Sequence, residues 1–225
     1  MIKTKEKSFK RKNELIEAAL DEFATKSYEN ASLNKIIKNA GISKGTFYYH
    51  FKDKKALYLF LQESAYKFQM EFQDKRMKEL AGDPQKSKDF WDPENSEGFK
   101  QKDFFEKIIL SAQIGAEAAT RFPKHLKLTM MFFKEEENED TKEIIEYVNS
   151  FRKKTLEEGV EKMVTDAIED GDLSNRFSKD FIVKVVNHFF LHYNEIFGMD
   201  EDYDESKFLK DINTFVDFLK FGLGR

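Results

Sequence analysis

The chain has 225 residues, with only 3 Pro, 10 Gly and no Cys. That scarcity of turn residues argues against an all-β fold, which needs them at about every tenth position. The missing thiols exclude disulfide scaffolds, thiolate metal sites and cysteine nucleophiles. The net charge of −4 averages two unlike parts: residues 1–55 carry 13 Lys and Arg against 7 Asp and Glu, a net of +6, whereas residues 56–225 carry 25 against 35, a net of −10. Such asymmetry suggests a basic module that meets a polyanion, joined to an acidic body with another task; a chance charge gradient is the plain alternative. No run of about 18 apolar residues is available to span a membrane. The N-terminus leads into no apolar stretch of a secretory signal. A soluble cytoplasmic protein is therefore expected.

Hydrophobic periodicity predicts an all-α chain of about nine helices. The first covers 9–27, with Ile16, Ala19, Leu20 and Phe23 on one face and Lys10, Arg11 and Lys12 at its start, where cations oppose the helix dipole. A short helix over 33–40 follows, with Ser32 as its N-cap and Leu33, Ile36, Ile37 and Ala40 as its stripe. Gly41 ends it, since glycine tolerates the left-handed backbone found there, and Ile42 plugs the turn. Ser43 caps a third helix over 44–51, with Phe47 and Phe51 one turn apart and assigned to the core. Two short helices joined by Ala-Gly-Ile-Ser have the layout of a helix-turn-helix.

A fourth helix runs from Asp53 to about Leu80, with Leu57, Phe60, Leu61, Ser64 and Phe68 on its stripe. Residues 82–99 hold two of the three prolines and read as a long loop. Helices are predicted over 101–121, 123–134 and 141–170, the acidic run 135–140 being a solvated connection. Gly171 and Asp172 end the long helix. The last two helices, over 179–197 and 205–222, are apolar over more than one face and so need a second surface to pack against. Either deep burial within one chain or a two-fold dimer would supply it. The dimer reading uses Phe181, Val185, Phe189, His192, Ile212, Phe215 and Leu219. No internal repeat or low-complexity segment is present.

The segment from Ser32 to Leu57 contains Ala40-Gly41-Ile42-Ser43, Gly45-Thr46-Phe47-Tyr48 and His50-Phe51, then Lys54 and Leu57. With these residues the chain resembles the TetR family of bacterial transcriptional regulators over about positions 9–60. It departs from the usual pattern at Ile37, where alanine is common, and at Ser32, where threonine is common but the hydroxyl is kept. The resemblance implies an N-terminal three-helix helix-turn-helix DNA-binding domain, 1–55, and a C-terminal helical ligand-binding and dimerisation domain, 56–225. It also implies binding to a palindromic double-stranded operator as a homodimer, usually as a repressor.

Phosphate neutralisation supplies much of DNA affinity, and hydroxyls, amides and helix N-termini fix register. On that basis Ser32, Tyr48, His50 and Lys54, with Lys55, suit phosphate contacts, and Gly45 allows close backbone approach to DNA or to the partner helix. Lys44, Thr46 and Tyr49 are left to read bases, with packing against neighbours as the alternative for Tyr49.

Proteins of this family usually bind a small effector in the acidic part. With 24 Phe and several Met in the chain, an apolar or amphipathic ligand fits, although a helical core wants the same residues. The candidate contacts are Tyr66, Phe105, Gln113, Met131 and Asn187. His188 and His192, with Glu195 one turn on, have a spacing that can bind metal, but they lie on the expected dimer helix, so packing is the preferred reading. His125 has no evident partner. No cofactor is expected. The absence of phosphate loop, nucleophile elbow and sheltered acid–base pair argues against an enzyme. A DNA-binding role in chromosome organisation is the alternative within the same family.

Overall fold

A computed structural model describes residues 11–80, 102–174, 176–192, 196–197 and 204–222. The predicted loop over 82–99, Lys10 and Glu195 lie outside the described residues. Among the described residues the chain is all-helical, with nine helices and no strand. They are α1 Lys12–Phe23, α2 Leu33–Asn39, α3 Lys44–His50, α4 Lys54–Leu80, α5 Phe104–Arg121, α6 Pro123–Phe133, α7 Lys142–Glu169, α8 Lys179–Leu191 and α9 Glu205–Phe221.

The helix ends follow from capping chemistry. Ser43 accepts the Thr46 N–H at 3.0 Å, Ser178 that of Phe181 at 3.3 Å and Asp204 that of Lys207 at 3.1 Å. Asp53, just before α4, accepts the Ala56 N–H at 2.7 Å. Asp103 and Glu106 form a reciprocal capping box at the start of α5. Two helices close in a Schellman motif. At α2, Gly41 takes φ +62° and donates to Lys38 O, while Ile42 N–H reaches Ile37 O. At α7, Gly171 takes φ +82°, with bonds to Ile168 O from itself and to Ala167 O from Asp172.

Two helices are shorter than the periodicity predicts. α1 begins only at Lys12 because Arg11 adopts φ +92°, and it closes at Phe23, where the Thr25 hydroxyl binds the carbonyls of Asp21 and Glu22. α8 stops at Leu191, because His192 leaves helical geometry.

By compactness the chain forms two units. The first comprises the described residues up to Phe68 together with Phe122–Phe151; the second comprises the remaining described residues, from Gln69 to Arg121 and from Arg152 onward. This division differs from the one by motif at 55/56, since α6 and the start of α7 pack with the helix-turn-helix. In the first unit Leu15, Phe23, Ile36, Phe47, Leu57 and Tyr58 share one core with Leu128, Phe132, Ile144 and Val148. Phe47 and Phe51 are buried in it, as the spacing predicts. Each fully buried side chain of this size contributes about 1.5–3 kcal/mol. In the second unit Phe104, Ile108, Val160, Val164, Val186, Phe189, Ile212 and Phe215 form a separate core, and Phe104 N–H donates to Asp172 at 2.9 Å.

The acidic connection is less solvated than its composition suggests. Glu136, Glu137, Glu139 and Asp140 are exposed, but Glu135 is half-buried and Thr141 fully buried. Asn138 and Thr141 cross-brace the turn through their side chains.

Candidate nucleic-acid interface

Ser32 caps α2 by accepting the Lys35 N–H at 3.3 Å, and its own N–H donates to Glu22 Oε1 at 3.1 Å. Glu22 is a site residue that periodicity does not reveal. Its side chain is only 3% exposed, yet it is charged, held by Lys35 at 2.6 Å and Lys26 at 2.9 Å. Burial would raise this carboxyl, but the hydrogen bonds from Lys35, Lys26 and the Ser32 N–H outweigh it and hold the pKa at about 2. The carboxylate thus anchors the start of α2 to α1. A depressed folded-state pKa gives stability that is complete above the ordinary value of 4.5 and is lost as pH falls toward 2. Urea unfolding followed by circular dichroism should show wild type losing about 1–2 kcal/mol more than Glu22→Gln between pH 5.5 and pH 3. Equal losses in the two proteins would exclude this role for Glu22.

The third helix presents a polar row outward. Tyr48 and Tyr49 are 56% and 61% exposed, and Lys44 and Gly45 face solvent. Tyr49 therefore does not pack into the core. Its ring stands edge-to-face with that of His50, the centroids 4.9 Å apart, and His50 is half-buried. Thr46 is half-buried and shares a 2.9 Å hydrogen bond with Ser43 Oγ. A Cβ added at Gly45 would meet only Ser43 Oγ, at an ordinary 3.7 Å. Packing within the chain thus does not require glycine there, and close approach to α2 is not its role.

Two lysines expected on phosphates are otherwise engaged. The Lys54 ammonium donates to the carbonyls of Tyr28, Glu29 and Ala31 at 2.7, 3.1 and 3.1 Å, using all three of its protons. It also lies 4.5 Å over the Tyr28 ring, and burial pushes its pKa down. Lys55 pairs with Glu143. In contrast, Lys38, Lys44 and Lys52 are exposed and pair with no carboxylate among the described residues. Lys38 and Lys52, which sequence reasoning did not single out, are thus more open to solvent than Lys54 and Lys55. Arg11 reaches the turn of the motif, donating to Gly41 O at 2.7 Å.

The second unit carries an open groove of about 790 Å³ along α8 and α9, lined by Phe181, Val185, Phe189, Ile196, Phe215 and Phe218 among others. Of the residues expected at a dimer surface, Ile212 is 1% exposed, and Phe189 and Phe215 are also buried in the core of this unit. Val185, His192 and Leu219 are half-buried. The outward apolar positions are Phe181, 52% exposed, and Phe218, 44% exposed, with Phe177, Ile196 and Phe221. The rings of His188 and His192 stack, their centroids 4.2 Å apart. Among the described residues no group of three or more His, Asp or Glu is placed to hold a metal.

The five candidate effector contacts are divided between the two units. Tyr66 and Met131 belong to the first unit, where Tyr66 lies against Phe151 at 5.2 Å. Phe105, Gln113 and Asn187 belong to the second. Phe105 is buried beneath the Lys220 ammonium, Gln113 is exposed, and Asn187 is buried with no hydrogen-bond partner for Oδ1. In the first unit His125 stacks on Phe68 at 5.1 Å, and burial lowers its pKa.

Residues 15–60 match the family described as bacterial regulatory proteins, tetR family. An uncharacterized HTH-type transcriptional regulator, YerO, from Bacillus subtilis strain 168 is 28% identical over 170 residues, covering 69% of this chain. The match spans 50% of that relative's length. Among solved structures, a putative transcriptional regulator from Pseudomonas aeruginosa PAO1 superposes with a TM-score of 0.64 at 16% identity, covering 94% of this chain and 91% of the other. The transcriptional regulator FadR from Bacillus subtilis, in complex with stearoyl-CoA, superposes with a TM-score of 0.58 at 19% identity, covering 94% and 99%. At these identities the structures share the fold.

Proposed function

Because the chain belongs to the tetR family of bacterial regulatory proteins, we propose that it is a transcriptional repressor that binds a palindromic operator as a homodimer and is released by an amphipathic effector. The observation that carries the DNA-binding reading is the outward row of Lys44, Tyr48 and Tyr49 on a helix fixed from behind by buried Phe47. Lys44 and Tyr49 read base edges in the major groove, with Thr46 at the side. Ser32, Tyr48, His50, Lys38 and Lys52 meet phosphates, and Gly45 lets the backbone come close. Two chains join through the α8–α9 face around Phe181, Val185 and Phe218, and the two α3 helices then meet equivalent half-sites. Light scattering should find two chains, or a pair of dimers, on one operator duplex; a single bound chain would overturn the reading.

For the effector, the supporting observations are the 24 Phe of the chain and a fold neighbour described with stearoyl-CoA. Within the second unit Phe105 and Asn187 are the proposed contacts, Asn187 being favoured by its buried, unpaired carbonyl oxygen. The exposure of Gln113 argues against it. Stearoyl-CoA added to the protein–operator complex is expected to release the DNA, as read by fluorescence anisotropy. Release requires the ligand to prefer the conformation that binds DNA poorly. Retention of DNA at saturating stearoyl-CoA would exclude this effector class.

A further inference from the structure

The loop between α1 and α2 leads directly into Ser32, the N-cap of α2, and is gripped from two sides within the first unit. From the start of α4, the Lys54 ammonium binds the carbonyls of Tyr28, Glu29 and Ala31. From the connection between α6 and α7, the Glu135 carboxylate accepts the Tyr28 N–H, and Asn138 Nδ2 donates to Glu29 Oε1 at 2.9 Å. Both grips are stiff. Asp53 caps the first turn of α4. In the connection, Asn138 Oδ1 accepts the N–H groups of Asp140 and Thr141, and the buried Thr141 hydroxyl donates to Glu136 O. Lys54 and Glu135 thus hold the carbonyls and the N–H of one short loop, which no local pattern in the sequence connects.

Resting on the DNA-reading proposal above, we infer that Lys54 and Glu135 are positioning residues of the reading head: they set the pose of α2 and α3 by holding the 28–31 loop, one at its carbonyls and the other at the Tyr28 N–H. A displacement of the α4 start or of the 135–141 connection is then passed to the reading helix through this loop. Lys54 itself is not a phosphate contact. A phosphate contact and a loop clamp differ in what they demand of the side chain. A phosphate needs only positive charge, which arginine keeps. Three converging carbonyls need a compact tetrahedral ammonium, which the planar guanidinium cannot imitate. Likewise glutamine at 135 keeps an oxygen for the Tyr28 N–H, and leucine does not.

The test uses the full chain, an operator duplex selected by wild-type protein, and a scrambled duplex of the same length, each titrated over a range of salt concentrations. Circular dichroism melts confirm that each variant is folded at the assay temperature. Lys54→Met, Lys54→Arg and Glu135→Leu are expected to lose about ten-fold or more in operator affinity. Their affinity for the scrambled duplex and their salt slope should stay at wild-type values. Glu135→Gln should retain the wild-type preference, and Lys54→Met combined with Glu135→Leu should lose less than the sum of the single losses, because both act on one loop. If Lys54→Arg binds like wild type while Lys54→Met weakens both duplexes and flattens the slope by about one unit, Lys54 is a phosphate contact and the inference fails. Unchanged preference in Glu135→Leu also overturns it. Should wild type select no duplex at all, the DNA-reading proposal falls, and this inference with it.

Discussion

Replacing Tyr49 with alanine is expected to reduce operator affinity by about 30- to 1,000-fold while leaving binding to unrelated DNA within a few-fold of wild type. Tyr49 is among the most exposed aromatics of the described residues, so its truncation removes no core packing, and stability should change by less than about 0.5 kcal/mol. A base-edge contact is worth about 1–3 kcal/mol of discrimination. In a two-fold dimer the loss is felt at both half-sites, so even about 1–2 kcal/mol per head becomes 2–4 kcal/mol overall. Gly45→Ala is the companion variant. A helical glycine costs about 0.5–1 kcal/mol relative to alanine, and the added Cβ meets nothing closer than 3.7 Å within the chain. The variant should therefore melt higher and bind the operator less tightly. Anisotropy titrations on operator and scrambled duplexes, alongside thermal melts, check both. A Tyr49→Ala protein that loses equally on both duplexes, or that has lost stability, would show that Tyr49 does not read bases.

Placing glutamate at both Phe181 and Phe218 is expected to dissociate the dimer and abolish tight operator binding while each chain stays folded. Both side chains face out beside the groove, so charges there are solvated in the single chain. Between two chains they would be buried without partners, a cost of about several kcal/mol per charge. Two-fold symmetry doubles the number of charges to four, enough to shift dimer dissociation by about three powers of ten or more. A single chain then engages one half-site and loses the second. Light scattering should report the mass of one chain for the variant and of two for wild type. Equal masses for the two proteins would remove the α8–α9 face from the account.

The parts of this molecule legible in the sequence are those set by local chemistry. Gly41 after the Ile36–Ile37 stripe foretells the Schellman turn that the structure contains, and Ser32 and Ser43 foretell the caps of α2 and α3. The burial of Phe47 and Phe51 follows from their spacing. What local patterns do not carry is the partner that a charge finds far along the chain. Lys54 looked available because Tyr28 and Ala31 lie more than 20 residues away, and Lys55 because Glu143 lies 88 residues away. Glu22 is hidden from local patterns for the converse reason: its partners, Lys35 and the Ser32 N–H, lie ten or more residues further along the chain. On α8 and α9 the composition reveals two apolar faces but does not distinguish the one its own unit covers, which is why Ile212, expected at a dimer surface, lies inside. The left-handed Arg11 that shortens α1 is likewise invisible to periodicity.

Two copies of the α2–α3 unit are proposed to read equivalent half-sites. Selection of bound duplexes from a random pool by the wild-type chain, followed by sequencing, tests this most directly. The expected result is enrichment of an inverted repeat whose two halves are alike and whose centres lie about one helical turn, or a multiple of it, apart on one face of the duplex. Enrichment of a single unrepeated motif, or no enrichment over the starting pool, would contradict it.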